Sequence, residues 1–155
     1  MKSVALLMLV PLAACGTALA APQQKVAAPT PDQIVAARRA AFTLTGSTFG
    51  GMKSIVESGG DVKSLTFGAR GLNLWAKALP GMFPDGTKLP TSRAKPGLWQ
   101  NRADFETKAT AFQTATTALL NAAQAGDAAA FKIAYAETGK ACGACHSAYR
   151  LEAPR

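Results

Sequence analysis

Three side chains that can bind or modify a cofactor lie close together near the C-terminus: Cys142, Cys145 and His146. They form the pattern Cys-x-x-Cys-His, in which small residues fill the two intervening positions. On a helix, two thiols at this spacing project to one side, where both can add to the vinyl groups of one haem. The imidazole that follows stands under the iron, for which it is a good axial ligand. The spacing therefore predicts covalent haem c held by the two cysteines, with His146 as the metal ligand.

Two other kinds of site also use a Cys-x-x-Cys pair, and each lacks a feature that it needs. A thiol–disulfide redox pair belongs on the helix after a strand in a thioredoxin-like fold, and the sequence shows no strand pattern. A structural zinc site needs four ligands, but His146 is the single histidine and the only other cysteine, Cys15, lies in the N-terminal leader. A chance pair of cysteines within a helix is the third alternative.

The N-terminal segment, residues 1–20, has the features of an export signal. A basic start at Lys2 precedes an apolar run over residues 4–14, which is too short to span a membrane as a helix. A protein exported in this way is expected in the periplasm, which is where covalent haem attachment takes place in bacteria.

The sequence is compatible with two cleavage positions for this signal. The small residues Ala18 and Ala20 predict cleavage before Ala21, whereas residues 12–16 resemble a bacterial lipobox in which Cys15 would be lipidated. Only the second alternative predicts a membrane anchor. Residues 21–30 are rich in alanine, proline and glutamine and are predicted to form a linker.

Four amphipathic segments follow the linker and predict an all-α, antiparallel four-helix bundle over residues 31–155, with the haem on the C-terminal helix. Apolar residues recur at steps of seven, or of three and four, which places them on one face of each helix. Helices with such stripes pack into bundles. The four stripes are Val35, Phe42, Phe49 and Val56; Val62, Leu65, Ala69, Leu72, Ala76 and Leu79; Phe105, Phe112 and Leu119; and Phe131, Tyr135, Thr138, Cys142, Cys145 and Tyr149.

Capping residues predict the ends of these helices. Thr30 followed by a proline and an acid predicts the start of the first helix, which should run about seven turns to Gly59-Gly60. The second helix is expected to begin at Asp61. A connection over residues 80–97 holds four prolines and three glycines, so it should cross part of the bundle. Further on, Gly126 should end the third helix and Asp127 should cap the fourth.

The charge of the chain indicates a solvated surface rather than a nucleic-acid interface. The formal net charge is +8, but the basic residues are spread out and no run exceeds Arg38-Arg39. The sequence therefore predicts no nucleic-acid partner and at most a mild attraction for an acidic redox partner.

The residues beyond the motif resemble the cytochrome c-prime family, the class II c-type cytochromes. The pattern continues as Cys-x-x-Cys-His-x-x-[Phe/Tyr]-Arg, matched here by Tyr149-Arg150, and segments 83–87 and 94–99 are also similar. The likeness covers about residues 31–151. One departure is Gly97, where relatives often carry an acid. The resemblance implies a four-helix bundle with haem c on its last helix.

The resemblance also implies that Phe42 lies on the face of the iron opposite His146. Low-spin relatives carry methionine there, whereas phenylalanine has no donor atom. Met52 lies about 80° around the helix and nearly three turns away, and Met82 lies in the long connection. The iron is therefore expected to be five-coordinate, beneath a dry aromatic pocket. Plain core packing is the alternative role for Phe42.

Two arginines complete the candidate site implied by the resemblance. Arg150 lies one turn beyond His146, near the proximal side of the haem, although a solvated cation at the helix end is the alternative. Arg38 lies at the start of the segment that resembles the distal helix of the family and is taken as a haem-binding candidate.

These features predict a gas-responsive haem protein that binds nitric oxide, and other small diatomic gases, for sequestration, sensing or protection. The alternative is an electron-transfer cytochrome that serves an unknown periplasmic redox partner. An enzyme such as a peroxidase needs polar distal groups, and Phe42 supplies none, so no enzymatic activity is expected. The sequence leaves open whether the bundle forms a homodimer through its first two helices.

Overall fold

The computed structural model describes residues 27–152, and helices make up most of that range. The helices are α1 (Pro31–Gly51), α2 (Lys53–Ser58), α3 (Thr66–Ala78), α4 (Gly97–Gln100), α5 (Arg102–Ala125) and α6 (Ala128–Tyr149). Short 3-10 turns lie at Val62–Leu65, Leu79–Met82 and Asp85–Thr87. Residues 27–152 contain no β-strand. The predicted export signal, with both of its ends and Cys15, lies outside the described residues.

Four antiparallel segments build the bundle: α1 with its continuation α2, then α3, α5 and α6. Helix α5 packs against both α3 and α6, and α1 packs against α3. The all-α four-helix bundle expected from the sequence is thus confirmed. No described helix is both long and apolar enough to cross a membrane.

The predicted helix ends are largely present. Thr30 Oγ1 accepts a hydrogen bond from the Gln33 amide (3.3 Å), and Gln33 Oε1 accepts one from the Thr30 amide (2.8 Å), which forms a capping box. Gly126 ends α5 in the left-handed conformation (φ 73°). Asp127 Oδ1 then accepts a hydrogen bond from the Ala130 amide (2.9 Å) and caps α6.

The prediction of one continuous first helix is wrong, because the structure interrupts this helix at Met52. The Met52 amide bonds to the Phe49 carbonyl three residues earlier (3.2 Å), and α2 starts at the next residue. The side chain of Met52 is buried against Gly68 of α3, where an added Cβ would lie 2.9 Å from the Met52 methyl. Two preceding glycines weaken the helix here, and the close approach of α3 fixes the turn.

The second predicted helix begins later than expected. Asp61 does act as a cap, since its Oδ1 accepts a hydrogen bond from the Lys63 amide (2.9 Å), but it caps the 3-10 turn Val62–Leu65. The α-helix itself starts at Thr66.

The core consists of two clusters at opposite ends of the bundle. The far cluster, so named because it lies at the end of the bundle away from Cys142 and Cys145, includes Met52, Leu72, Leu119 and Phe131. All four are nearly inaccessible to solvent. The second cluster contains Ala76, Leu79, Phe83, Leu98, Phe105, Ala109, Phe112 and Tyr149. Phe42 packs against this second cluster and is only half-buried, because α1 borders a cavity at this level.

Candidate haem-binding site

The two cysteines and the histidine of the motif lie in the last turns of α6, near the second core cluster. Cys142 and Cys145 are free thiols, and both they and His146 are half-buried. The two cysteines pack against the second core cluster, so α6 presents them to the interior rather than to bulk water. The helix thus places two thiols and one imidazole on the same side, as the spacing predicts.

Burial holds these groups in their neutral forms. It raises the pKa of the Cys142 thiol, with a smaller contribution from neighbouring Cys145. Burial also raises the pKa of Cys145, which the positive charge of Lys108 opposes. The pKa of His146 is lowered by burial first and by the charge of Arg150 second. At neutral pH the thiols therefore keep their protons, and the imidazole is in the neutral form that ligates metals.

A cavity of about 360 Å³ opens beside His146 between α1 and α6. Its volume lies in the usual range for small-molecule and cofactor sites. Its inner wall is mostly apolar, and its remaining lining residues include four arginines and no carboxylate. The lining residues are Arg38, Arg39, Phe42, Thr43, Gly46, Leu79, Phe83, Arg93, Ala94, Leu98, Phe105, Cys145, His146, Tyr149 and Arg150.

Phe42 lies across this cavity from His146. The two ring centroids are 6.3 Å apart, and Phe42 also contacts Trp75 edge-on at 5.2 Å. A macrocycle ligated by His146 would lie between this imidazole and the Phe42 ring, which are the two groups that face each other across the cavity. The residues present therefore fit a planar, iron-bearing group between α1 and α6.

Neither methionine of the described chain lines the cavity. Met52 lies in the far core cluster at 2% exposure, and Met82 is half-buried in the connection after α3. Among the described lining residues, His146 is the only imidazole, and no methionine offers a thioether.

Arg38, a haem-binding candidate by the resemblance, is buried at 3% exposure, and no local sequence signal predicts this burial. Its Nη1 donates to the Met82 carbonyl (3.1 Å) and to Thr87 Oγ1 (2.8 Å). Its Nη2 donates to the Thr87 carbonyl (3.0 Å) and to Ser92 Oγ (2.6 Å). Four of the five guanidinium donors are thus used, and the Nε–H is the one without a hydrogen-bond partner among the described residues.

Arg150 ends α6 at the mouth of the cavity, with an exposed side chain. Its amide donates to the His146 carbonyl (3.0 Å), and it forms an antiparallel bridge with Ala94. The neighbouring Lys95 amide donates to the Tyr149 carbonyl (2.8 Å). The long connection is therefore fastened to the end of the helix that carries the motif.

Tyr149 and Asp104 form a pair that sequence reasoning missed. The Tyr149 hydroxyl donates to a carboxylate oxygen of Asp104, whose other oxygen lies 3.2 Å from Lys108 Nζ. Burial and this bond raise the pKa of Tyr149 to about 12, while the same bond lowers the pKa of Asp104. The only sequence signal was an Asp104–Lys108 spacing of four on a helix.

The family model for cytochrome c′ matches residues 33–150, nearly the whole of the described chain. The chain belongs to the cytochrome c′ family. Cytochrome c′ of Alcaligenes xylosoxydans xylosoxydans is 35% identical over 123 residues, which cover 77% of this chain and 94% of that relative. Covalent haem c with iron is the cofactor of cytochrome c′, and this chain has the two cysteines and the histidine that suit it.

Solved cytochrome c′ structures share the fold. A ferrous variant from Alcaligenes xylosoxidans with bound nitric oxide has a TM-score of 0.74 and 30% identity, covering 82% of this chain and 100% of its own. A carbon monoxide-bound variant from the same organism has a TM-score of 0.73 and 32% identity, covering 79% of this chain and 98% of its own. Both structures are of variants of the same relative, and each carries a diatomic gas.

Proposed function

We propose that Cys142 and Cys145 hold haem c, that His146 ligates its iron, and that the protein binds nitric oxide and other small diatomic gases. The observation that carries this proposal is the position of Phe42, which faces His146 at 6.3 Å and has no donor atom. When bound, the haem supplies an iron centre that can bind a diatomic gas and exchange one electron.

The side chains on α6 fix the cofactor. Each thiol gives its sulfur to one vinyl carbon and its proton to the neighbouring carbon, so the additions of Cys142 and Cys145 need no oxidant. His146 is neutral at neutral pH, because burial lowers its pKa, and its nitrogen lone pair is available to the iron. The Nε–H of Arg38 and the exposed Arg39, Arg93 and Arg150 offer positive charge to the haem propionates.

The opposite face is closed by aromatic rings. Phe42 contacts Trp75 and Phe83, with centroids 5.2 and 6.4 Å away, so the wall excludes water and anions. Phe42 offers no donor atom at this face, so His146 would be the only protein side chain to ligate the iron, and a diatomic gas would have to displace the Phe42 ring to bind there. The nitric oxide and carbon monoxide complexes of the relatives support the same ligand class here. No catalytic activity is proposed, since Phe42 supplies no polar group to cleave an O–O bond.

Electron transfer is the second candidate function, and the charge of the cavity mouth favours it. Arg39, Arg93 and Arg150 are exposed there, and no carboxylate lines the cavity. Even after two propionates are neutralised, the mouth stays positive, which suits an acidic periplasmic redox partner. The periplasmic location itself rests on the export signal predicted over residues 1–20, and a lipid anchor rests on Cys15.

A homodimer through α1 and α3 is part of the same proposal. Phe67 and Leu74 lie seven residues apart on α3 and are 88% and 60% exposed, with Gly71 between them. Leu44 of α1 is 68% exposed. Apolar side chains this accessible on adjacent helices are typical of an interface.

The absorption spectrum of the purified ferrous protein tests the function. A high-spin, five-coordinate spectrum that changes on addition of nitric oxide or carbon monoxide is expected. A spectrum that is already low-spin at neutral pH would contradict the gas-binding proposal and favour the electron carrier.

A further inference from the structure

The aromatic wall around Phe42 has one anchored side and one free side. Phe42 lies between Phe83 and Trp75, and these two neighbours differ in how they are held. Because a gas that approaches the iron opposite His146 must displace the Phe42 ring, the direction in which this ring can move decides how the gas enters.

Phe83 is the anchored neighbour. Its carbonyl accepts hydrogen bonds from Trp99 Nε1 and from Arg102 Nη1, both at 3.1 Å. The guanidinium of Arg38 lies 4.4 Å from the centroid of its ring, and Phe105 contacts the ring edge-on at 5.2 Å. Phe83 is also almost fully buried. The hydrogen bonds hold the backbone of Phe83, and Arg38 and Phe105 pack against its ring, so this densely packed ring has little room to yield to Phe42.

Trp75 is the free neighbour. Its ring meets Phe42 edge-on, with an angle of 84° between the ring planes. Its Nε1 is the one side-chain nitrogen or oxygen of the described residues that is fully buried without a hydrogen-bond partner. Trp99, the other tryptophan, donates through its Nε1 to the carbonyls of Phe83 and Pro84. A buried donor without a partner is uncommon and calls for an explanation.

We propose that Phe42 yields toward Trp75 when a gas enters, and that Trp75 thereby sets the rate of ligand entry. The unpaired indole is held by packing alone, so it can shift without breaking a hydrogen bond. Trp75 is in this sense a positioning residue that acts through Phe42. The inference rests on the proposed gas site, and it adds the direction of opening and the residue that controls it.

Gly46 lies one helical turn after Phe42, is exposed and lines the cavity, so the alternative to the proposal is that the Phe42 ring moves past Gly46 toward solvent. A ring that leaves this way becomes exposed to water, which costs free energy in proportion to the apolar area exposed. Nothing lies within 4 Å of a Cβ added at Gly46, so Gly46→Ala narrows this exit without disturbing the fold. The two routes can therefore be told apart by variants.

The test measures carbon monoxide association to the ferrous, haem-loaded protein after flash photolysis. Trp75→Leu should speed association by about tenfold, equivalent to a barrier lower by about 1.4 kcal/mol. In a Phe42→Ala background the same change should alter the rate by less than about twofold, because a residue that acts through Phe42 has no effect without it. Lys77→Ala, an exposed change on the same helix, is the control for indirect effects of α3.

A spectroscopic readout separates this role from a purely structural one. Ultraviolet resonance Raman bands of tryptophan should shift when carbon monoxide binds to the wild type, and the shift should be absent in Trp75→Phe. The chain holds two tryptophans, so a shift that persists in Trp75→Phe comes from Trp99 and overturns the proposal.

The remaining outcomes separate a failure of the gas site proposed at Phe42 from a failure of the role proposed for Trp75. If Phe42→Ala leaves association unchanged, the gas site proposed at Phe42 fails. If Phe42→Ala speeds association but Trp75→Leu does not, or if both effects simply add, only the role of Trp75 fails. Slower association in Gly46→Ala would show that the ring leaves through the mouth, which also overturns the role of Trp75.

Discussion

Replacing Arg38 by methionine should weaken the attachment of the long connection to α1. Four hydrogen bonds join this guanidinium to Met82, Thr87 and Ser92, and all four acceptors are neutral. Methionine keeps much of the aliphatic volume of the side chain but removes every donor. The same segment carries Phe83, so the substitution also loosens one wall of the cavity.

The expected loss follows from two opposing effects. A hydrogen bond made by a charged donor contributes about 1.5–3 kcal/mol, so four contribute about 6–12 kcal/mol. Burial of the cation without a carboxylate partner costs several kcal/mol, in line with the pKa of Arg38, which burial lowers. The hydrogen bonds contribute more than the burial of the cation costs. We therefore expect Arg38→Met to lower the free energy of unfolding by about 2–4 kcal/mol.

Urea unfolding of the haem-loaded protein, followed by the helical circular dichroism signal, measures this loss. Arg70→Met is the matched control, since Arg70 is exposed on α3 and does not line the cavity. That change should cost less than about 0.5 kcal/mol. Arg38→Lys should fall between the two, because lysine keeps the charge but lacks the planar fork.

A loss of unfolding free energy in Arg38→Met equal to that in Arg70→Met would refute the reasoning. It would mean that the cost of burying the cation cancels its hydrogen bonds. A change in the slope of unfolding free energy against urea concentration would instead indicate that the substitution alters the unfolded state.

Three further predictions concern the site and its maturation. Phe42→Met places a thioether opposite His146 and should convert the ferrous spectrum from high-spin to low-spin; an unaltered spectrum would mean that this side chain does not reach the iron. Tyr149 has a pKa raised from 10.0 to about 12, so its stabilising effect is complete below about pH 10 and is lost as the pH rises through about 12. Urea unfolding across this range should show that loss in the wild type and not in Tyr149→Phe. A chain without residues 1–20, made in the cytoplasm, should accumulate free of haem, and the mass of the exported N-terminus should show either a start at Ala21 or a diacylated Cys15.

Local sequence signals predicted the architecture well. The capping box at Thr30, the left-handed Gly126 and the cap at Asp127 are short-range features, and the structure has all three. The seven-residue stripes of the third helix also gave its buried face correctly, since Phe105, Phe112 and Leu119 are buried. Each of these features depends on residues within one or two turns of one another, which a single sequence contains.

The features that escaped prediction depend on distant parts of the chain. The break at Met52 arises where Gly68 allows α3 to approach α1, 16 residues further along. The sequence predicts Arg38 as a haem-binding candidate but not its burial, because its acceptors at Thr87 and Ser92 come 49 and 54 residues later. The bond between Tyr149 and Asp104 spans 45 residues. Periodicity along one helix does not show which side chains from another helix will meet it.

The most direct test of covalent haem attachment is acid–acetone extraction of the exported protein, followed by measurement of its intact mass. Because Cys142 and Cys145 each form a thioether, the colour should stay with the protein and its mass should include one haem. Replacing both cysteines by serine should give a chain that loses its haem on extraction. Free extraction of haem from the wild type, or an exported protein that matures without haem, would contradict the central claim.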